Sequence, residues 1–190
     1  MSRCGQIGFD RGRPLAARGL RMSGRLRRAV LIAGAALLLL LSTGSFLEAA
    51  TFRQGVSAFN SQNYGLASQI FIPFAERGDP AAQTYLGLMF ETGRGVPQNY
   101  TEAAMWYRRA AEQGDSLAQY SLGLLYDRGQ GVPQDVVEAS KWLNLAAAAA
   151  PPRAREARVR IRDAVTSKMT RGEIAQARLR ALEWVPSRER

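Results

Sequence analysis

The sequence predicts an all-α fold, a short α-solenoid of antiparallel helix pairs closed by a helical C-terminal cap. Three observations predict it. Gly78-Asp79 to Glu112-Gln113 is answered position by position by Gly114-Asp115 to Ala148-Ala149, a self-similarity with a period of 36 residues. Within each unit, apolar and small residues recur at i, i+3, i+4, i+7 and i+8, the spacing of one face of an α-helix. The residues at the unit boundaries are helix starters and stoppers. A repeat of this length cannot bury its apolar face alone and stacks on its neighbour, which directs the search for function to a surface.

Residues 1–50 are of another kind. Eight arginines stand against one acid, Asp10, in residues 1–28, and the uncharged run Ala29 to Leu47 follows. Basic flank, apolar core and then small residues are the layout of a secretory signal, with Met22 an alternative start that gives an n-region of ordinary length. Thr43-Gly44-Ser45 and Leu47-Glu48-Ala49 are acceptable cleavage sites, neither a clean Ala-x-Ala. The run 29–47 is also close to the roughly 18 to 20 residues that span a bilayer, so an inner-membrane signal anchor is the alternative. Either way the positive flank stays in the cytoplasm and the repeats are expected outside it, in the periplasm or beyond.

Residues 51–77 are expected to form an atypical first pair. Ala67, Ile70, Phe71, Phe74 and Ala75 carry a helical face, and Tyr64 aligns with Tyr100 at the full period. Gly55 lies closer to Gly87, so the intervening turn is about four residues shorter. In the repeat 78–113, Asp79 is an N-cap with Pro80 at the first helical position, and Ala82, Tyr85, Leu86, Met89 and Phe90 form the first face. Asn99 caps the second helix, with Glu102 three residues on and a face of Ala103, Trp106, Tyr107, Ala110 and Ala111. The repeat 114–149 matches it with Ala118, Ser121, Leu122, Leu125 and Tyr126, then Asp135, Glu138 and the face Ala139, Trp142, Leu143, Ala146 and Ala147. Gly78, Gly93, Gly114 and Gly129 fall just past helix ends. Gly93-Arg94-Gly95-Val96-Pro97-Gln98 is a turn and not a phosphate loop, because no preceding strand, third glycine or Lys-Ser/Thr accompanies it.

Beyond Ala150 the period is expected to break. Pro151-Pro152 stop the helix, and Arg158 and Val159 occupy the positions where a third Leu-Gly belongs. Ala154, Ala157, Ile161, Ala164 and Val165 trace one amphipathic helix. Another begins at Thr170, with a Thr170–Glu173 capping box and a Met169–Ile174 staple, and runs to about Trp184. These segments, 150–185, form the expected cap, and 186–190 a tail.

The pattern Ala-x-x-x-Leu-Gly-x-x-aromatic-x-x-Gly-x-Gly-Val-Pro-Gln-Asn/Asp-x-x-x-Ala-x-x-Trp, present in two copies, resembles the Sel1-like repeat, a relative of the tetratricopeptide repeat. Gly55, Ala58, Phe59, Asn63, Tyr64, Ala67 and Phe71 carry that resemblance upstream in degraded form, and the Met-Thr, Ile-Ala-x-Ala, Glu-Trp ending is similar to the tails of small bacterial Sel1-like proteins. The resemblance implies a right-handed solenoid and a non-enzymatic adaptor that binds a protein or peptide in the bacterial envelope. It places the binding surface on the concave side, at Thr84, Leu88, Glu91 and Thr92 in one repeat and Tyr120, Leu124, Asp127 and Arg128 in the next. A mixed apolar and charged stripe of this size suits a peptide and an interface below about 1,200 Å².

Composition narrows the chemistry. Cys4, the single cysteine, precedes the apolar run, and there is no histidine. The exported part therefore has no disulfide, thiolate nucleophile, imidazole base or usual zinc site, and no catalytic residue, cofactor or metal is expected. The formal charge of +10 is divided unevenly: residues 1–50 and 151–190 carry +6 each, while 51–150 carry −2. Nucleic acid is accordingly not the expected partner, and a monomer is the expected state. The crowded Arg153, Arg155, Arg158, Arg160 and Arg162 are expected to form the solvated face of the capping helix, or to draw anionic lipid or an acidic partner. Trp106, Trp142 and Trp184 are expected as packing anchors rather than ligand cages. Asn99-Tyr100-Thr101 has the form of a glycosylation sequon, but Asn99 is better used as an N-cap. The competing reading is a glycan-processing or other small hydrolase using Glu91, Asp127 and Arg128, with a glycan-binding envelope component between the two.

Overall fold

The computed structural model describes residues 51–187, and the basic flank, the apolar run 29–47 and residues 188–190 lie outside them. Eight helices and no strand are found among the described residues. They are α1 (residues 51–60), α2 (Tyr64–Glu76), α3 (Pro80–Thr92), α4 (Tyr100–Glu112), α5 (Ser116–Arg128), α6 (Val136–Ala148), α7 (Pro152–Thr166) and α8 (Arg171–Glu183). The described residues belong to one compact unit. Among the described residues no helix is long and apolar enough to cross a membrane.

The caps form as the sequence requires. The carboxylates of Asp79, Asp115 and Asp135 and the amide oxygen of Asn99 accept backbone N–H groups in the first turns of α3, α5, α6 and α4. These donors have no partner inside a helix, so each cap contributes about 1 kcal/mol. Gly93 and Gly129 close α3 and α5 at φ 69° and 67°, a left-handed conformation that a side chain resists. In the shorter first turn Gln62 takes that role at φ 63°.

Helix pairs are held by close crossings at glycine. A Cβ on Gly87 would lie 2.5 Å from the Tyr107 ring, one on Gly123 2.8 Å from Leu143, and one on Gly55 2.8 Å from Ile70. Gly55 thus serves the first pair as Gly87 and Gly123 serve the next two. Two apolar clusters follow from these crossings. One joins Phe71, Ala75, Leu86 and Met89 to a ring of aromatics in which Phe71 and Tyr85 stack at 4.6 Å. The other gathers Ala103, Tyr107, Ala110, Leu122, Leu125 and Trp142. Trp142 is 4% exposed, whereas Trp106 is half-buried with the Arg109 guanidinium 4.6 Å above its ring.

The repeats are also tied by buried glutamines. Gln83 and Gln119 each donate from Nε2 to the carbonyl of a preceding helix end, Ala75 and Ala111, at 3.1 and 3.2 Å. Gln113 then donates to Gln83 Oε1 at 2.9 Å and to the Gly78 carbonyl at 3.0 Å. Ala149 stands at the position equivalent to Gln113 one period on, and Gln119 Oε1 is buried without a partner.

The C-terminal part departs from expectation in two ways. First, helix placement keeps the period: α7 begins 36 residues after α5 and α8 35 after α6. What breaks is the pairing, since α8 packs on α6 and not on α7. Val159 fills the place of the crossing glycine, and at the 35-residue offset of α8 the counterpart of Leu143 is Arg178, which is exposed. The branched side chain of Val159 holds the two axes apart. Second, the buried face of α7 is Arg158, with Val165 and half-buried Ala154 and Ile161, while Ala157 and Ala164 are exposed. Arg158 is not on the solvated arginine face. It is 9% exposed and donates to the carbonyls of Ser116 at 2.9 Å and Ala146 at 3.2 Å. Burial lowers its pKa and the nearby Asp115 carboxylate opposes that shift. Arg155 donates to the Ala150 carbonyl and Arg162 pairs with Asp163, which leaves Arg153 and Arg160 exposed.

The capping box of α8 forms as expected: Glu173 accepts from both the N–H and the hydroxyl of Thr170. Those bonds hold the carboxyl below its usual pKa. α8 is further fastened by Arg180 to Glu138 at 2.6 Å and by Trp184 against Trp142 at 6.3 Å between ring centres.

Candidate functional site

The stripe expected on the first helices falls in unlike surroundings. Thr84 is buried, and its hydroxyl donates to the Pro80 carbonyl at 2.9 Å, completing a local bond rather than facing a ligand. Leu88 is half-buried against the α4–α5 cluster. The two nevertheless come together. With Ala81, Tyr85, Asp115 and Leu117 they line a notch of about 160 Å³ between α3 and the start of α5. Leu117 forms an open edge at 47% exposure. Asp115 brings a carboxylate to the same notch while its Oδ1 accepts from the N–H groups of Leu117 and Ala118, so the charge is fixed in place.

Toward the other end of α3, Glu91 accepts the Tyr107 hydroxyl at 2.7 Å. Burial and the carboxylate beside it push the Tyr107 phenol far above its usual range, so it stays protonated as a donor. Thr92 is exposed, with its hydroxyl on the Leu88 carbonyl.

In the second repeat Tyr120 occupies the position of Thr84. It is half-buried beside Ala139, Leu143 and Val165, with the Arg158 guanidinium 5.6 Å from its ring centre. Leu124 is half-buried, Arg128 is exposed, and Asp127 lies 3.4 Å from the Lys168 ammonium. Tyr120 and Arg158 thereby fill what the small Thr84 leaves open. The hydrolase residues do not meet: Glu91 is engaged by Tyr107 of its own repeat and Asp127 by Lys168 of the C-terminal cap. Leu117 and Asp115 are not among the residues the sequence places on the binding stripe. A signal existed, because Leu117 stands where the twin repeat has Ala81, a large apolar residue in place of a small one.

From Gly87 onward the crossing glycines, the turns and the glutamines Gln83 and Gln119 recur at 36 residues, and the Sel1 repeat family model matches residues 80–115 and 116–150. Residues 80–150 are two Sel1 repeats. Among solved structures the chain is similar to c5321, a protective antigen present in uropathogenic Escherichia coli strains displaying an SLR fold. The identity is 31% and the TM-score 0.66, over 72% of this chain and 29% of that one. It is also similar to a Sel1 repeat protein from Oxalobacter formigenes, at 29% identity and a TM-score of 0.56, over 72% of this chain and 55% of the other. The match thus spans under a third of the first relative and about half of the second. No curated protein matches the chain. Sel1 repeats are generally scaffolds for protein–protein interaction.

Proposed function

We propose that this Sel1-repeat chain is a non-catalytic adaptor or regulator of the bacterial cell envelope, which binds a peptide or protein on the face of α3 and α5. The notch beside Leu117 carries the reading. It offers an apolar recess with a fixed carboxylate at its edge, suited to one apolar side chain flanked by a basic residue. Leu88 and Thr92 extend the surface on α3, and Leu124, Asp127 and Arg128 extend it on α5. Glu91, Thr84 and Tyr120 support it from behind through their bonds to Tyr107, Pro80 and the α7 cluster. With so few repeats the contact is short, below about 1,200 Å², and the affinity correspondingly modest.

The compartment follows from the basic flank and the run 29–47, which direct the array out of the cytoplasm as a cleaved or anchored segment. One experiment addresses both parts. A tagged array, expressed from its own start, is recovered from the envelope fraction together with its partner, and Leu117→Lys is compared with wild type. Because Leu117 is half exposed, the variant melts like the parent while partner capture falls. Undiminished capture by the lysine variant refutes the notch, and a tag recovered only from the cytoplasm refutes export.

A further inference from the structure

Because α8 leans on α6 and not on α7, the three helices leave a gap between them. It has two parts. A groove of about 330 Å³ runs between Leu145 and Ala148 of α6 and Ala181 and Leu182 of α8, and its walls are almost wholly apolar. A polar chamber of about 190 Å³ adjoins it, walled by Ser140, Arg162, Asp163 and Thr166. Asn144 and Arg178 line both.

The polar end is furnished for an anion. Arg178 is exposed and carries no ion pair or hydrogen bond among the described residues, unlike Arg180, which is tied to Glu138. Arg162 donates through Nε and Nη2 to Asp163 Oδ1, so these two charges offset each other and the chamber keeps the positive charge of Arg178. Ser140 is 1% exposed; its oxygen accepts from Asn144 at 3.5 Å, which leaves its own O–H to donate. We propose that this junction binds an amphiphilic anion, an unbranched alkyl chain ending in a carboxylate, with the chain in the groove and the carboxylate on Arg178, Asn144 and Ser140.

The groove decides the kind of chain. A peptide laid there would lose water from its N–H and C=O groups and find no partner in Leu145, Ala148, Ala181 or Leu182. An alkyl chain carries no such groups and gains from burial along the same walls. Leu182, 84% exposed in the free protein, is the residue most covered by a bound chain. This site is separate from the α3–α5 face, and the two proposals stand or fall independently.

The test uses the region from Phe46 to Arg190, which holds every apolar cluster described above. Decanoate, decanol, acetate and a short peptide ending in leucine are titrated below their micelle concentrations and followed by calorimetry. Saturable one-to-one binding of decanoate is expected, with decanol and acetate each weaker by about tenfold or more, the loss expected when a charge-assisted contact or a buried chain is removed. Arg178→Gln and Leu182→Ser, both at exposed positions, should each lower decanoate affinity by about tenfold with unchanged melting. Decanol binding as well as decanoate, either variant binding like wild type, or no saturable decanoate binding overturns the proposal. Tighter binding of the peptide than of decanoate overturns it in favour of a protein terminus as ligand.

Discussion

A single methyl group at Gly87 should cost more stability than its helix propensity returns. The added Cβ would meet three atoms of the Tyr107 ring at 2.5, 2.6 and 2.9 Å, where ordinary contact begins at 3.4 Å. That ring is 1% exposed and its hydroxyl is held by Glu91 at 2.7 Å, so it cannot swing aside without losing the bond. The helices must instead separate by about 1 Å, and overpacking of this kind costs about 1 to 3 kcal/mol. Replacing glycine by alanine in a helix returns about 1 kcal/mol. With three atoms crowded and the ring pinned, the upper end of the cost applies and Gly87→Ala should be destabilising by about 2 kcal/mol net.

Gly65, near the start of α2, has no atom within 4 Å of its would-be Cβ. Gly65→Ala should therefore stabilise by about 0.5 to 1 kcal/mol. For a unit of this size the pair translates into a fall of roughly 6 °C for Gly87→Ala and a rise of roughly 2 °C for Gly65→Ala in thermal unfolding followed by circular dichroism. In a Tyr107→Ala background, which removes the ring, Gly87→Ala should change sign. A Gly87→Ala protein that melts above wild type would mean that the α3–α4 crossing is looser than this packing requires.

Two further outcomes are expected. Ala149→Gln should supply Gln119 Oε1 and the Gly114 carbonyl with the donor that Gln113 gives one repeat earlier, raising stability by about 1 kcal/mol in denaturant unfolding, and no gain would mean that water already serves the buried oxygen. Tyr107 should be the last tyrosine to ionise: its pKa is raised in the folded state, so its stabilising share is complete below the unfolded value of about 10 and is lost as pH rises beyond it. Alkaline titration by ultraviolet absorbance should show Tyr107 ionising only together with unfolding, and Tyr107→Phe should remove that part of the alkaline instability.

Most of the fold was legible because it is written twice. Asp79 and Asp115, Asn99 and Asp135, Gly93 and Gly129 perform the same local chemistry at each copy, so period and helix ends could be read without any long-range contact. The helix faces followed for the same reason: Ala82, Leu86 and Met89, and Ala103, Tyr107 and Ala110, are all buried. Legibility ended where a residue's partner is set by another element. Thr84 sits in a groove-facing register, yet its burial comes from the approach of α5, which no local spacing encodes.

The C-terminal arginines make the same point in charge. By composition Arg158 is one of five in close order and belongs with the solvated ones, since a lone guanidinium is costly to bury. What makes it affordable is the irregular end of the array: α6 ends with carbonyls that the helix cannot satisfy, that of Ala146 among them, the Ser116 carbonyl in the first turn of α5 takes a further bond from the same guanidinium nitrogen, and Tyr120 lies against the guanidinium. In the regular repeats leucine holds this position, as Leu122 and Leu86 do, and glycine follows it to admit the next helix. Arg158-Val159 replaces both functions at once, anchoring α7 through polar bonds and excluding α8 from it. The regular pairing therefore stops at Arg158-Val159, and the gap that α8 leaves beside Arg178 is the direct consequence.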